Sequence, residues 1–257
     1  MPVPLPSVFL EAPIAHRALH DASQGILENS PGAVRRAVRA GYGVEVDVQL
    51  SADGVAMVFH DDTLDRLTVA QGPVKGRTAK ELQDIHLKGS EDTIRTLAQV
   101  LEMVGGKVPV LIELKDQSGG LAESDDTLEQ AVAADLAEYG GPAAVMSFNP
   151  YIVDAMRSHA PDVPRGLVTS GFIPSKWPHL SAETCTALRS ISSFGKVGAT
   201  FISHDWTDLG SPRVGELKAN GTPILCWTVT SPQIEGEARR VADNITFESY
   251  LPAVPAD

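Results

Sequence analysis

Val44-Glu45-Val46-Asp47-Val48 alternates apolar and acidic residues with a period of two. As a strand it turns its valines to one side of a sheet and both carboxylates to the other. Helices would cover the valine side, so in a barrel the acids point inward. Working outward from this stretch, further short runs rich in Val and Ile recur at Ala12 to His16, Val108 to Leu114, Ala144 to Ser147, Arg165 to Thr169, Thr200 to Ser203, Pro223 to Trp227 and Asn244 to Thr246. Between them the pattern predicts helices over 32–40, 93–104, 126–138, 150–158, 182–190, 212–219 and 234–241, with Gly41, Gly105 and Asn220 placed to close three of them. Eight β-α units in a chain of 257 residues predict an α/β fold, a (β/α)₈ TIM barrel.

The regularity breaks once. Asp53-Gly54 reads as a hairpin turn before Val55 to His60, and the segment of about 61–94, with Gly72-Pro73, Gly76 and Gly89, reads as a small insertion after the second strand. Residues 1–257 are therefore expected to form a single domain. With 43% hydrophobic and 21% charged residues, disorder and low complexity are excluded. A formal net charge of −12 repels a phosphate backbone, so no nucleic-acid partner is expected. Cys185 and Cys226 form no CxxC and read as free thiols, no run approaches the roughly 20 apolar residues of a membrane span, and the N-terminal stretch to His16 lacks signal-peptide character. A cytoplasmic protein is expected; its oligomeric state is open.

The acids carry the first chemical signal. Leu111-Ile112-Glu113-Leu114-Lys115 has the same period, so Glu113 and Lys115 join Glu45 and Asp47 inside the barrel mouth. One acidic pair on one strand fits a solvated edge equally well. A third carboxylate on a second strand favours a bound cation, because like charges so close cannot all stay ionised alone. Hard oxygen ligands in this number suit Mg²⁺ or Ca²⁺ better than zinc. His16 follows the first apolar run and His60 ends another, giving an acid and base pair near neutral pH. Arg17 and Lys115 beside them would bind a phosphate. His204, after Phe201 to Ser203, could face the substrate or only pack. Phe148 and Trp227, at equivalent strand ends, could wall a pocket or only pack.

Ile14-Ala15-His16-Arg17, Leu27-Glu28-Asn29-Ser30, the stretch from Gly43 through Asp47 to Gly54, and Val58 through His60-Asp61-Asp62 to Arg66 together resemble the glycerophosphodiester phosphodiesterase family, and the resemblance continues through Glu113-Leu114-Lys115 and Trp227-Thr228-Val229. It implies a barrel with a small insertion after the second strand and metal-assisted cleavage of glycerophosphodiesters to an alcohol and glycerol 3-phosphate, within lipid and glycerol metabolism. By that resemblance His16 and His60 are the catalytic pair, Glu45, Asp47 and Glu113 hold one divalent cation, Mg²⁺ or Ca²⁺, and Arg17 and Lys115 bind the small phosphodiester substrate. Glu28 would lie near the metal and Asn29 would support the loop.

Three departures stand out. Ala18 replaces the Gly that usually follows His-Arg, which is expected to be harmless provided Ala18 avoids a positive φ. Leu27 and Ser30 replace the usual Pro and Thr. Asn244 to Pro252 stands where the family commonly ends its last strand with Thr-Asp, a change expected to affect the substrate pocket rather than the chemistry. Two other functions are compatible: a lysophospholipase D-like phosphodiesterase, for which Phe172, Ile173 and Trp177 would form an apolar lip, and a phosphoester-binding protein without turnover.

Overall fold

The computed structural model describes residues 2–254. Strands β1 (Ile14–Ala15) and β2 (Gly43–Leu50) are followed by two short strands, β3 (Ala56–Val58) and β4 (Arg95–Thr96), and then by β5 (Val110–Leu114), β6 (Ala143–Ser147), β7 (Arg165–Thr169), β8 (Phe201–Asp205), β9 (Ile224–Val229) and β10 (Asn244–Phe247). All but β3 and β4 are parallel and follow one another around a ring. It closes because β1 pairs on one side with β2, Ile14 opposite Gly43, and on the other with β10, Ile14 opposite Thr246. Glycine at position 43 eases this close approach, since a Cβ there would come within 3.1 Å of the Ile14 side chain and 3.3 Å of the Pro109 ring. The expected TIM barrel is the observed one.

Helices α1 (Val8–Glu11), α2 (Pro31–Ala40), α3 (Ala79–Gln83), α4 (Leu97–Val104), α5 (Thr127–Ala137), α6 (Pro150–His159), α7 (Ala182–Arg189), α8 (Pro212–Ala219) and α9 (Pro232–Ala238) complete the described residues. None is long and apolar enough to cross a membrane. Two starts differ from expectation. Residues 93–96 were expected to be helical, but Thr96 pairs with Met57 in a strand and caps α4, its hydroxyl accepting from Gln99 N. α9 begins two residues early because Ser231 caps it and Pro232 fits the first turn.

The period of two sorts the barrel into two cores. Val44, Val46, Val48, Ile112 and Leu114 face outward and pack with Ala33, Val34, Ala37, Val100 and Leu101 of the helix ring. Ile14, Leu111, Ala144, Met146, Val168, Phe201 and Leu225 fill the inside, joined by Phe9 of α1. Asn244 secures that end by donating to the carbonyls of Phe9 and Ala12. With the lower barrel filled by apolar side chains, polar groups at the strands' C-terminal ends have only the mouth to occupy.

The segment between β2 and β5 builds a satellite core of its own, from Met57, Phe59, Leu64, Val74, Leu82 and Ile94. Gly54, at φ +78°, makes the turn after β2. The Asp53 carboxylate accepts from Ser51 Oγ at 2.6 Å and from the Ala79 N–H at 2.8 Å, which ties that turn to the start of α3. This excursion delivers His60 to the barrel mouth.

Candidate active site

Glu45, Asp47 and Glu113 meet as their strand period requires, with Asp47 directly opposite Glu113 across β2 and β5. Each contributes a carboxylate oxygen to a group whose members lie within 4.8 Å of one another, and all three residues are buried. Burial, with the neighbouring charges of Asp47 and Glu113, pushes Glu45 well above the usual carboxylate range. Asp47 goes the other way. Burial opposes its ionisation too, but Lys115, His60 and Arg17 and a hydrogen bond from Asn29 hold it below its ordinary value. Backbone and side-chain donors fix both acids: Arg17 N–H to Glu45 Oε2 at 2.7 Å, and Asn29 Nδ2 to Asp47 Oδ2 at 2.9 Å, while Asn29 Oδ1 accepts from the Asp47 N–H. Three converging oxygen donors with outer partners already oriented suit a hard divalent cation.

Lys115 lies with its Nζ 3.2 Å from Glu113 and 3.6 Å from Asp47. Burial works against its charge, but those two carboxylates raise its pKa above the ordinary value. Arg17 reaches Glu28 at 2.8 Å and Asp47 at 3.6 Å. Glu28 is thus bound to cations of the protein: Arg66 also grips it, together with Asp61, through contacts of 2.6 to 2.8 Å. Glu28, His60 and Asp61 bring possible ligand atoms together as well. Both groups have basic side chains of the protein beside them; the trio on β2 and β5 differs in being buried and all-carboxylate, which suits a hard cation better.

Both histidines line the same cavity of about 140 Å³ with Glu45, Asp47, Glu113, Arg17 and Lys115, and Phe148 and Trp227 form part of its wall. His60 Nδ1 is 2.8 Å from Asp61, and His16 Nδ1 is 2.8 Å from Glu248. Nε2 of each ring is therefore left for chemistry. Trp227 is oriented by its indole N–H, which donates to the Ser203 carbonyl at 3.0 Å.

The departure at the last strand brings an acid beside His16, a contact that the sequence reading did not include. Glu248, just past β10, accepts from His16 and stands 3.5 Å from His20 Nε2; the hydrogen bond from His16 and the nearby His20 ring hold its carboxyl well below the usual range. By sequence His20 reads as a loop histidine with a structural role and Glu248 only as part of the divergent stretch after the last strand, because nothing in a Phe-Glu-Ser sequence, or in a histidine after a turn, signals a partner more than two hundred residues away. The tolerance expected of Ala18 is also corrected. It sits at φ +62° directly after Arg17 at φ +51°, so two left-handed residues in succession turn the chain after β1. Hydrogen bonds to Glu45 over-determine that turn, with Ala18 N–H on the Glu45 carbonyl at 2.9 Å and Arg17 N–H on its side chain.

His204 does not face the substrate side. One residue past inward-facing Ser203, it points out of the barrel, buried between Thr169 at 2.7 Å and Asp208 at 3.2 Å. Burial lowers its pKa, with Asp208 opposing. The expected apolar lip is a packed cluster instead: Phe172 is buried and stacks with Trp177, their centroids 5.0 Å apart, so that of the three residues only Ile173 is exposed.

Residues 16–247 match the model of the glycerophosphoryl diester phosphodiesterase family. The glycerophosphodiester phosphodiesterase of Caldanaerobacter subterraneus subsp. tengcongensis is 33% identical over 225 residues, 84% of this chain and 84% of its own. Among solved structures, an Oleispira antarctica phosphodiesterase in complex with the product sn-glycerol-3-phosphate superposes with a TM-score of 0.76 at 24% identity, covering 93% of each chain. A glycerophosphodiester phosphodiesterase from Parabacteroides distasonis gives a TM-score of 0.69 at 23% identity over 91% of each chain.

Proposed function

The chain belongs to the glycerophosphoryl diester phosphodiesterase family and is a phosphoric diester hydrolase, and from that premise we propose that it cleaves glycerophosphodiesters to an alcohol and glycerol 3-phosphate by His16 and His60 acid and base catalysis around one divalent cation, Mg²⁺ or Ca²⁺. The excursion of about 61–94 belongs to the same catalytic domain, since it begins directly after His60 and its Asp61 holds that ring. One observation carries the reading: two imidazoles, three buried carboxylates and two basic side chains line a single cavity at the barrel mouth.

Glu45, Asp47 and Glu113 would hold the cation, which when bound stabilises the negative charge that builds on the phosphate. Arg17 and Lys115 bind the phosphate and add to the positive field. One imidazole Nε2 takes the proton of the attacking hydroxyl, from water or from the substrate's glycerol, as the new P–O bond forms. The other gives its proton to the departing alcohol oxygen as the old P–O bond breaks. Glu248 and Asp61 fix the ring orientations by holding each Nδ1, and Phe148 and Trp227 wall the pocket. Glu28 and Asn29 act one step back, on Arg17 and Asp47.

The test is release of glycerol 3-phosphate from a set of glycerophosphodiesters supplied with Mg²⁺ or Ca²⁺. Activity should vanish on chelation and return with the ion. Turnover that persists after exhaustive chelation, or in the Glu45→Ala, Asp47→Ala double variant, would remove the cation from the reaction.

A further inference from the structure

Glu248, which holds His16 of the catalytic cavity, also lines another cavity, of about 590 Å³, that shares no lining residue with the catalytic one. It lies between the loop after β1, helix α2 and the loop after β10. Its carboxylates are already engaged. Asp21 accepts from the Ser23 N–H, the Ser23 hydroxyl and the Gln24 amide, and Glu248 is taken up by His16. Its donors are not engaged. The Arg36 guanidinium makes no hydrogen bond among the described residues, since its Nη1 stands 3.7 Å from Asp21 Oδ2, too far for one. The His20 ring makes none either, its Nε2 standing 3.5 Å from Glu248. Ser249 is held at φ +68°, and around this left-handed residue the N–H groups of Ser249, Tyr250 and Leu251 find no protein acceptor among the described residues.

Half-buried donors left without acceptors are costly, and folded proteins pair them, hydrate them or fill the site with a ligand. A neutral polyol would need free acceptors as well as donors, and here the acceptors are committed. A guanidinium fork beside successive backbone N–H groups of a turn is instead the donor set of an oxyanion. The left-handed Ser249 agrees with this, because strained backbone of that kind gathers at ligand clamps. A bare ion would fill only part of the space, and Leu19, Phe247 and Leu251 supply apolar wall for the rest of a molecule. We propose that this cavity binds a small organic molecule through an oxyanion, a phosphate monoester or a carboxylate, held by Arg36, His20 and the turn after β10. The site is separate from the phosphate contacts of Arg17 and Lys115, so it stands whether or not the diesterase reading holds.

The test needs no turnover. Inorganic phosphate and acetate are each titrated into the full chain at fixed pH and ionic strength, while NMR follows the imidazole C–H signals, with His20 assigned from His20→Gln. The His20 signal should shift saturably, with phosphate binding more tightly if the ligand's head is a phosphate monoester and acetate more tightly if it is a carboxylate. Arg36→Met should weaken that binding at least about tenfold, because a charge-assisted fork is lost. If Arg36→Met does not fold, as judged by circular dichroism, Arg36→Gln carries the same comparison. Phosphate is also expected to enter the catalytic cavity, and Lys115→Met separates the two sites: it should weaken the response of His16 and His60 and leave the His20 titration as in the wild type. No saturable shift of His20 with either anion, a weakening below about tenfold in the Arg36 variant, or a His20 response abolished by Lys115→Met overturns the site. Failure of the diesterase to cleave any substrate leaves all three of these readouts in force.

Discussion

His16 and His60 line the cavity and each gives one ring nitrogen to a carboxylate, an arrangement that fits the proton transfer proposed for them and leaves them a small part in packing. His16→Ala and His60→Ala should each lower kcat by roughly 10² to 10⁴ under saturating cation while circular dichroism and melting temperature stay close to wild type. A loss under tenfold for either removes it from the mechanism. In the proposed mechanism Glu248 touches no reacting atom and acts through His16. Glu248→Gln should therefore lower kcat by roughly ten- to a hundredfold with little change in KM; an equal rise in KM would point to a pocket role. The same carboxylate stabilises the fold in a pH-dependent way. Its folded pKa lies below the unfolded value of 4.5 because His16 hydrogen-bonds it and the His20 ring stands close by, so its contribution is complete above that pH and is lost as the medium acidifies further. Asp61 behaves alike, opposed by burial but held by Arg66 and His60 to about 2 against 3.8. Denaturant unfolding should show stability falling from about pH 4.5 toward pH 2, with a shallower decline in Glu248→Gln.

At the scale of elements, the turn after β1 holds two successive non-glycine residues at positive φ beside the site. Ala18 holds a left-handed conformation that disfavours a Cβ by roughly 1 kcal/mol or more. Ala18→Gly relieves that strain but frees the unfolded chain, so the net gain should be about 0.5–1 kcal/mol, a rise in melting temperature of roughly 1–4 °C. A fall would mean that the buried methyl group packs more favourably than the strain costs. This turn also marks how far the sequence can be read. Val44 to Val48 and Leu111 to Lys115 disclose their inner and outer faces because strand geometry is strictly alternating and the side chains differ sharply in polarity. Ala18 discloses nothing, since alanine carries no preference for positive φ. The start of α9 was legible in Ser231-Pro232 and went unread. The start of α4 was not, because 93–96 is drawn into a strand by its pairing with β3, a tertiary effect that overrides a local pattern. Arg66 illustrates the same limit: it looks like an ordinary surface charge until the excursion folds back and sets it on Asp61 and on Glu28 of the loop after β1.

For the whole molecule, the buried acids store repulsion that a cation would relieve. Mg²⁺ or Ca²⁺ at about a hundred times its dissociation constant should stabilise the fold by roughly 2.7 kcal/mol, seen as a melting temperature several degrees higher. In Glu45→Gln the metal-free protein should melt at the wild-type temperature or above, because a buried like charge is gone, and the increment on adding metal should vanish. An undiminished increment would place the ion elsewhere. Barrel closure has a consequence in time. His16 stands at the end of the first barrel strand and its partner Glu248 just past the last, 232 residues later, on strands that touch only when the ring shuts. A nascent chain leaving the ribosome is therefore without this dyad through nearly all of its synthesis, and C-terminal truncations ending before β10 should be inactive whatever they retain upstream. A circular permutant that joins the two ends and opens a helix-strand loop elsewhere would carry both dyad residues close together in sequence, and would uncouple their meeting from the completion of the chain.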